Sequence, residues 1–175
     1  WVITQGQNGQ LQAQRNFQAC GNAWAVSNVE YAANADEEMA ALSNFDPKQT
    51  AIVPQQYASE LGGKTDFAPA KIKLTTYDPK FLEYSFEGND AFVVFSEIYY
   101  VGSDNDWQAY IDGEALDHLR VNYLLRGLQV PAGKHTITFE FAPKSYYMGR
   151  KINFAGSGIL LLLLGWMGWK QRKEA

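Results

Sequence analysis

Five aromatic side chains between residues 99 and 123 are the strongest candidates for ligand chemistry in this 175-residue chain. Sugar rings present C–H faces that pack on Trp and Tyr rings, while their hydroxyl groups need polar partners nearby. The same residue types also fill the cores of β-sandwiches. Strand alternation puts Trp107 on one face with Ala109 and Ile111, which favours a buried ring. The candidate set is Tyr99, Tyr100, Trp107, Tyr110 and Tyr123.

Arg126 is the sixth candidate ligand-binding residue. It alternates in phase with Leu124, Leu128 and Val130, so its guanidinium is predicted to lie on an apolar face. A buried charge without a partner is costly, which favours pairing with a carboxylate such as Glu97. The alternative is a role in holding an anionic lipid or a phosphate.

The sequence offers no catalytic residue, no metal ligand set and no cofactor motif. It lacks a G-x-S-x-G elbow, an HExxH pair and a Gly-rich phosphate loop. Asp104, Asn105 and Asp106 begin like a calcium loop, but Ala109 and Ala115 stand where an EF-hand needs Gly and Glu. The lone Cys20 is best interpreted as a buried structural thiol. The carboxylates of residues 36–38 fit the first turn of a helix.

Charge is divided sharply along the chain. Residues 1–143 carry nine Lys or Arg against eighteen Asp or Glu, whereas residues 144–175 carry six basic residues against one acidic residue. An acidic body repels phosphate backbones, so a nucleic-acid partner is excluded for it.

The basic end surrounds the uncharged segment 152–169, which would rise about 27 Å as a helix and could just cross a bilayer core of about 30 Å. The alternative is a buried core helix, which its basic flanks disfavour. Aromatic and basic residues at both ends are predicted to lie at the membrane interface. They are Tyr146, Tyr147, Arg150, Lys151, Trp166, Trp169 and Lys170. The balance of basic residues does not decide the orientation.

Hydrophobic alternation and turn signals predict the elements that carry these residues. A short helix should begin after Asn34 and end near Asn44, and a strand should run from Thr50 to Val53. Further strands alternate with period two between residues 71 and 141, and 91–100 suits a central strand. The turn pairs Asp112-Gly113 and Pro131-Ala-Gly-Lys134 predict adjacent antiparallel strands.

The predicted fold class is therefore mainly β. It is an antiparallel, jelly-roll-like β-sandwich with one short helix in its N-terminal half and a C-terminal transmembrane helix. The predicted divisions are a sandwich domain at 1–143 with an irregular lead-in, a juxtamembrane linker at 144–151, a transmembrane helix at 152–169 and a tail at 170–175. Because the chain starts at Trp1 without a targeting segment, we expect it to be the end of a longer membrane protein.

Two segments resemble the C-terminal end of the bacterial membrane protein YfhO family, in its Bacteroides-type form. They are GNAWAVSNVEYAANADEEMAALSNFDPKQTAIV and FSEIYYVGSDNDWQAYIDGEALDHLRVNYLLRGLQVPAGKHTITFEFAPKSYYMGRKIN. Members are polytopic proteins related to GT-C glycosyltransferases, which use polyprenyl-phosphate-linked sugars. The resemblance implies that the catalytic acidic residue lies in an early loop outside this chain, so no residue here inherits that role.

The resemblance also implies a location and partners. Residues 1–151 would lie on the extracytoplasmic (periplasmic) side of the cytoplasmic (inner) membrane, and 170–175 would lie in the cytoplasm. The implied partners are the lipid bilayer, upstream transmembrane helices of the same parent chain, and a glycan or polyprenyl-linked sugar. The expected function is to position a glycan or polymer acceptor without catalysing the transfer. A membrane-tethered carbohydrate-binding module and a purely structural brace are the alternatives.

Overall fold

Thirteen strands and two α-helices make up the part of the chain that this computed structural model describes, namely residues 2–5, 10–100, 102 and 106–174. The first half contains β1 (Val2–Gln5), β2 (Leu11–Gln14), β3 (Ala23–Val26), β4 (Asn28–Ala32), α1 (Ala35–Leu42), β5 (Thr50–Pro54), β6 (Ala70–Asp78) and β7 (Phe81–Gly88). The second half contains β8 (Ala91–Ile98), β9 (Trp107–Ile111), β10 (Glu114–Leu116), β11 (Leu119–Val121), β12 (Leu125–Val130), β13 (Gly133–Phe141) and α2 (Lys144–Glu174).

Two antiparallel sheets face each other, which confirms the predicted β-sandwich. One sheet has the order β10-β9-β13-β7-β6, and the other has the order β11-β12-β8-β3. The alternating apolar residues of β7 and β13 meet those of β8 and β12 in a core that includes Tyr84, Phe95, Leu128 and Phe139. Trp107 packs against this core, so the face predicted for it is confirmed.

A second apolar layer covers the outer face of the four-stranded sheet. Strands β4 and β5 pair in parallel, and their Val29 and Val53 pack with Phe92 and Val94 of β8. Residues 91–95 are consequently buried on both faces, which confirms β8 as a central strand. The sequence prediction did not include this layer, because strand and helix signals do not specify which distant segments pair.

The two predicted turns have different outcomes. Asp112 and Gly113 both have positive φ, at 52° and 86°, and join the antiparallel pair β9 and β10 as expected. The prediction that Pro131–Lys134 joins two adjacent antiparallel strands is wrong. Strand β12 pairs with β8 and β11, whereas β13 pairs with β7 and β9. That turn carries the chain from one sheet to the other. Turn chemistry fixes the reversal, whereas burial of both apolar faces fixes the strand partners.

Helix α1 begins where the sequence predicts. The Asn34 side chain accepts a hydrogen bond from the Glu37 backbone N–H at 3.0 Å, and the Glu37 carboxylate accepts one from the Ala33 N–H at 3.0 Å. Such reciprocal bonds satisfy donors that the first helical turn leaves free. The helix ends at Leu42, close to the predicted boundary.

Helix α2 runs without interruption from Lys144 to Glu174, about 46 Å at 1.5 Å per residue. Residues 144–151, the predicted juxtamembrane linker, form the first two turns of this helix. No proline follows Pro143, and Gly149 costs only about 1 kcal/mol relative to Ala within a helix. The helix is long and apolar enough to cross a membrane, and none of its most apolar window is buried against the rest of the chain.

Candidate functional site

Three of the six predicted ligand-binding residues come together at one end of the sandwich. Tyr100 follows β8, Trp107 begins β9, and Arg126 lies near the start of β12. They line an open cavity of about 420 Å³, here called the Arg126 niche. Its described lining is Pro79, Glu97, Ile98, Tyr100, Trp107, Arg126 and Phe141.

Arg126 is almost fully enclosed, with 3% of its surface exposed. Its Nε donates a hydrogen bond to the Ile98 carbonyl at 3.0 Å, and its guanidinium lies 4.2 Å from the Trp107 ring centre and 5.3 Å from the Phe139 ring centre. Burial lowers the pKa of Arg126, while the negative charge of Glu97 acts in the opposite direction. Glu97 therefore affects the pKa of Arg126 without a direct ion pair. In place of the predicted pair, the guanidinium contacts the Ile98 carbonyl and the rings of Trp107 and Phe139.

A break in strand register shapes this part of the niche. Leu125 pairs with Ile98, but the next residue, Arg126, pairs with Phe95. Ser96 and Glu97 are therefore extra residues in β8, opposite the start of β12. Such bulges redirect side chains and are frequent beside binding sites. Here the bulge lies where the Ile98 carbonyl accepts from Arg126.

Trp107 forms the wall between the niche and a second cavity. Its ring contacts Phe141 at a centroid distance of 5.3 Å, and Arg126 covers it at 4.2 Å. The ring is half-buried, so much of its surface is already occupied by protein. Tyr100, with 53% of its surface exposed, is the more available aromatic platform.

Tyr99 lies in the second cavity, here called the His118 pocket, which has a volume of about 220 Å³. The described lining is Tyr57, Glu60, Tyr99, Trp107, Gln108, Leu116, Asp117, His118 and Leu119. Tyr99 packs edge-on against His118 at 5.2 Å, and Tyr57 lies nearby in the same cavity. Burial is the largest of the effects that raise the pKa of Tyr99, so the hydroxyl stays protonated.

The remaining two aromatic candidates line neither cavity. Tyr110 pairs with Ala115 and Thr138 within the five-stranded sheet, on the opposite face of β9 from Trp107. Tyr123 has positive φ in the turn between β11 and β12, where its ring lies beside the Arg120 guanidinium. Proximity in sequence to Trp107 and Arg126 does not bring these two rings into the site.

Three buried polar side-chain atoms lack a hydrogen-bond partner within the described residues, namely Asp106 Oδ1, His118 Nε2 and Arg126 Nη1. All three belong to residues around Trp107: Asp106 precedes it, Arg126 covers it, and His118 lines the pocket it walls. Unpaired buried polar atoms are rare and often mark binding sites. Sequence reasoning did not predict the burial of His118 or Asp106, because neither stands in an alternating pattern that signals burial.

Burial is the largest effect on the pKa of His118, which is lowered to about 4, and the nearby Arg126 charge acts in the same direction. Its ring lies edge-on to Phe139 at 5.6 Å. His118 is therefore neutral at ordinary pH. The positive charges that act on this region are those of Arg126, near His118, and Arg120, near Tyr99.

The structure shows no arrangement for metal or nucleophilic chemistry in the residues it describes. No group of three metal-ligating side chains occurs there, and Asp104 and Asn105 of the considered calcium loop lie outside the described residues. Cys20 is half-buried, and burial raises the pKa of its thiol. A raised pKa disfavours the nucleophilic thiolate.

The residues predicted for the membrane interface lie along α2. Tyr146, Tyr147, Arg150 and Lys151 occupy its first turns, and Phe141 of the niche is only three residues before the helix begins. Three residues span at most about 11 Å, so the niche lies beside the start of α2. At the other end are Trp166, Trp169 and Lys170, with Lys173 stacked on Trp169 at 3.9 Å.

No protein-family model, curated protein or solved structure matches this chain.

Proposed function

We propose that this chain is the extracytoplasmic β-sandwich and last membrane helix of a YfhO-like glycosyltransferase that uses polyprenyl-phosphate-linked sugars. In this proposal the sandwich holds a glycan or polymer acceptor near the membrane, and residues upstream in the parent protein carry out the transfer. The chain itself contributes positioning rather than catalysis. Its cytoplasmic-membrane location and its extracytoplasmic sandwich are parts of the same proposal.

The observation that carries the proposal is the composition and place of the Arg126 niche. An exposed Tyr100 ring stands beside a charged guanidinium and the Glu97 carboxylate in an open cavity. Aromatic faces with a few polar groups suit sugar rings, which need both C–H packing and hydroxyl partners. The niche adjoins the start of a helix able to cross a bilayer, so a bound glycan would be held near the membrane surface.

Binding of glycans to the full chain in lipid nanodiscs tests this function. A glycan array should give specific binding, and Tyr100→Ala should weaken it about tenfold, which corresponds to about 1.4 kcal/mol. Tyr123→Ala is the matched control, because Tyr123 is also an exposed tyrosine but lines neither cavity. Circular dichroism should show that both variants remain folded.

Two outcomes would favour the alternatives. Array binding that is equally strong in wild type, Tyr100→Ala and Tyr123→Ala would reject the niche as the glycan site. No binding at all would favour a structural brace, for which the packing of Trp107, Arg126 and Phe141 beside α2 is also suited. A signal peptide directly before Trp1 in the complete coding sequence, in place of further membrane spans, would favour a tethered carbohydrate-binding module.

A further inference from the structure

The His118 pocket has a different chemical character from the niche on the other side of Trp107. Two carboxylate residues, Glu60 and Asp117, line it together with Tyr57 and Tyr99, and its described lining includes no Lys or Arg. Carboxylates accept hydrogen bonds from hydroxyl groups and repel anions. The pocket is therefore suited to a hydroxyl-bearing ligand without negative charge.

His118 gives this pocket an unsatisfied polar group. Only 9% of the residue is exposed, its ring is held between Tyr99 and Phe139, and its Nε2 has no hydrogen-bond partner in the described part of the chain. A buried polar atom without a hydrogen bond costs about 1–3 kcal/mol. A neutral imidazole has one donor and one acceptor nitrogen, so a hydroxyl group bound nearby can relieve this cost without bringing a charge.

The size of the pocket limits the ligand. Its volume of about 220 Å³ equals that of roughly seven water molecules at about 30 Å³ each. Cavities for drug-sized ligands begin at about 300 Å³. A single sugar ring is the largest carbohydrate unit that fits, and Trp107 supplies an apolar wall for its C–H face.

We propose that the His118 pocket binds one uncharged sugar ring, the end unit of a glycan whose following units pass over Trp107 into the Arg126 niche. This proposal rests on the proposed function for its longer ligand, but the pocket can be tested alone with monosaccharides. It assigns Tyr57, Glu60, Asp117 and His118 to ligand binding, none of which the sequence pattern singled out.

The test uses the full chain in nanodiscs, with selectively labelled histidine and two matched kinds of probe. Methyl glucoside, methyl galactoside and methyl mannoside are uncharged, and methyl glucuronide carries a carboxylate on a similar ring. At least one uncharged glycoside should shift the His118 ring resonances in a saturable way with a millimolar Kd. Methyl glucuronide should bind at least tenfold more weakly, because Glu60 and Asp117 repel it.

Charge-neutral variants sharpen the test without emptying the pocket. Asp117→Asn keeps the side-chain size and should reduce the discrimination against methyl glucuronide at least threefold. Glu114→Gln is the control, since this carboxylate on β10 does not line the pocket. Equal binding of the charged and uncharged probes, or an unchanged ratio in Asp117→Asn, would overturn the proposal.

The two proposals fail in distinguishable ways. If array glycans bind and depend on Tyr100 while no monosaccharide shifts His118, the niche function stands and the pocket proposal is overturned. If monosaccharides shift His118 but array binding ignores Tyr100→Ala, the pocket stands and the niche function falls. The absence of both signals would overturn both.

Discussion

Two of the charged side chains buried in the described part of the chain, Glu38 and Arg126, have opposite surroundings. Glu38 of α1 is 1% exposed. Its carboxylate forms an ion pair with Arg120, whose Nη2 lies 2.9 Å from Oε2, and accepts a hydrogen bond from the Tyr123 backbone N–H at 2.7 Å. Arg126 is buried to a similar extent but lies among aromatic rings, and none of the described residues accepts a hydrogen bond from its Nη1. Glu38 is thus paired within the fold, whereas Arg126 lines a cavity and keeps one nitrogen unpaired among the described residues.

Breaking the Glu38 pair should have the largest effect. Glu38→Gln keeps the size of the side chain but leaves Arg120 without its anion, and loss of one partner of a buried pair typically costs about 3–5 kcal/mol. Urea unfolding of the full chain in detergent, followed by circular dichroism, should show a strongly lowered midpoint.

Asp36→Asn provides the matched control for that measurement. It lies in the same helical turn but is exposed, so its loss should cost no more than about 1 kcal/mol through the helix dipole. Similar unfolding midpoints for Glu38→Gln and Asp36→Asn would remove the contrast on which the comparison rests.

His118 provides the next largest effect, because it is buried and also lies near the Arg126 charge. Its pKa is lowered from 6.5 to about 4, so the unfolded chain takes up a proton first as the pH falls. The stability gained by keeping His118 neutral is complete above pH 6.5 and is lost between pH 6.5 and 4. At about 1.36 kcal/mol per pKa unit, this loss is about 3 kcal/mol.

Unfolding curves at several pH values should reveal this loss as a difference between wild type and His118→Gln. Other groups titrate in both proteins, so the difference isolates His118. NMR titration adds a direct link to Arg126, since Arg126→Met should raise the His118 pKa partway, while burial continues to lower it. A His118 pKa near 6.5 in the wild type would contradict both expectations.

The positions of Trp107 and Arg126 show what the alternation of apolar and polar residues can predict. The period-two patterns of β9 and β12 placed Trp107 and Arg126 on inward faces, and both lie there, because side-chain direction is a local property of a strand. Local capping residues likewise predicted the start of α1. The sequence could therefore predict the inward orientation of these two residues of the Arg126 niche.

The remaining parts depend on contacts between distant segments. Glu38 meets the Tyr123 N–H across 85 residues, and the parallel β4 and β5 pair meets the outer face of β8. The β12 to β13 turn has a hairpin sequence but joins different sheets. His118 enters the site only because β11 follows β10 across the end of the sandwich, and no local pattern specifies that placement.

Replacing Arg126 should have the smallest effect on stability and so completes the comparison with Glu38. Arg126→Met keeps an unbranched apolar chain against Trp107 and Phe139 and removes the hydrogen bond to the Ile98 carbonyl. Loss of that bond, worth about 1.5–3 kcal/mol, is offset because an uncharged side chain avoids the cost of burying a guanidinium. We expect the free energy of unfolding to change by no more than about 1 kcal/mol, in either direction.

The same urea titration measures this change, with glycan-array binding recorded on the same preparation. A stable Arg126→Met protein with weakened glycan binding would show that the two buried charges have different roles, Glu38 in folding and Arg126 in ligand binding. A loss of 3 kcal/mol or more would place Arg126 in the same class as Glu38. In that case the packing around Trp107 would be a structural brace at the start of α2, and the unpaired Arg126 nitrogen would no longer argue for a ligand.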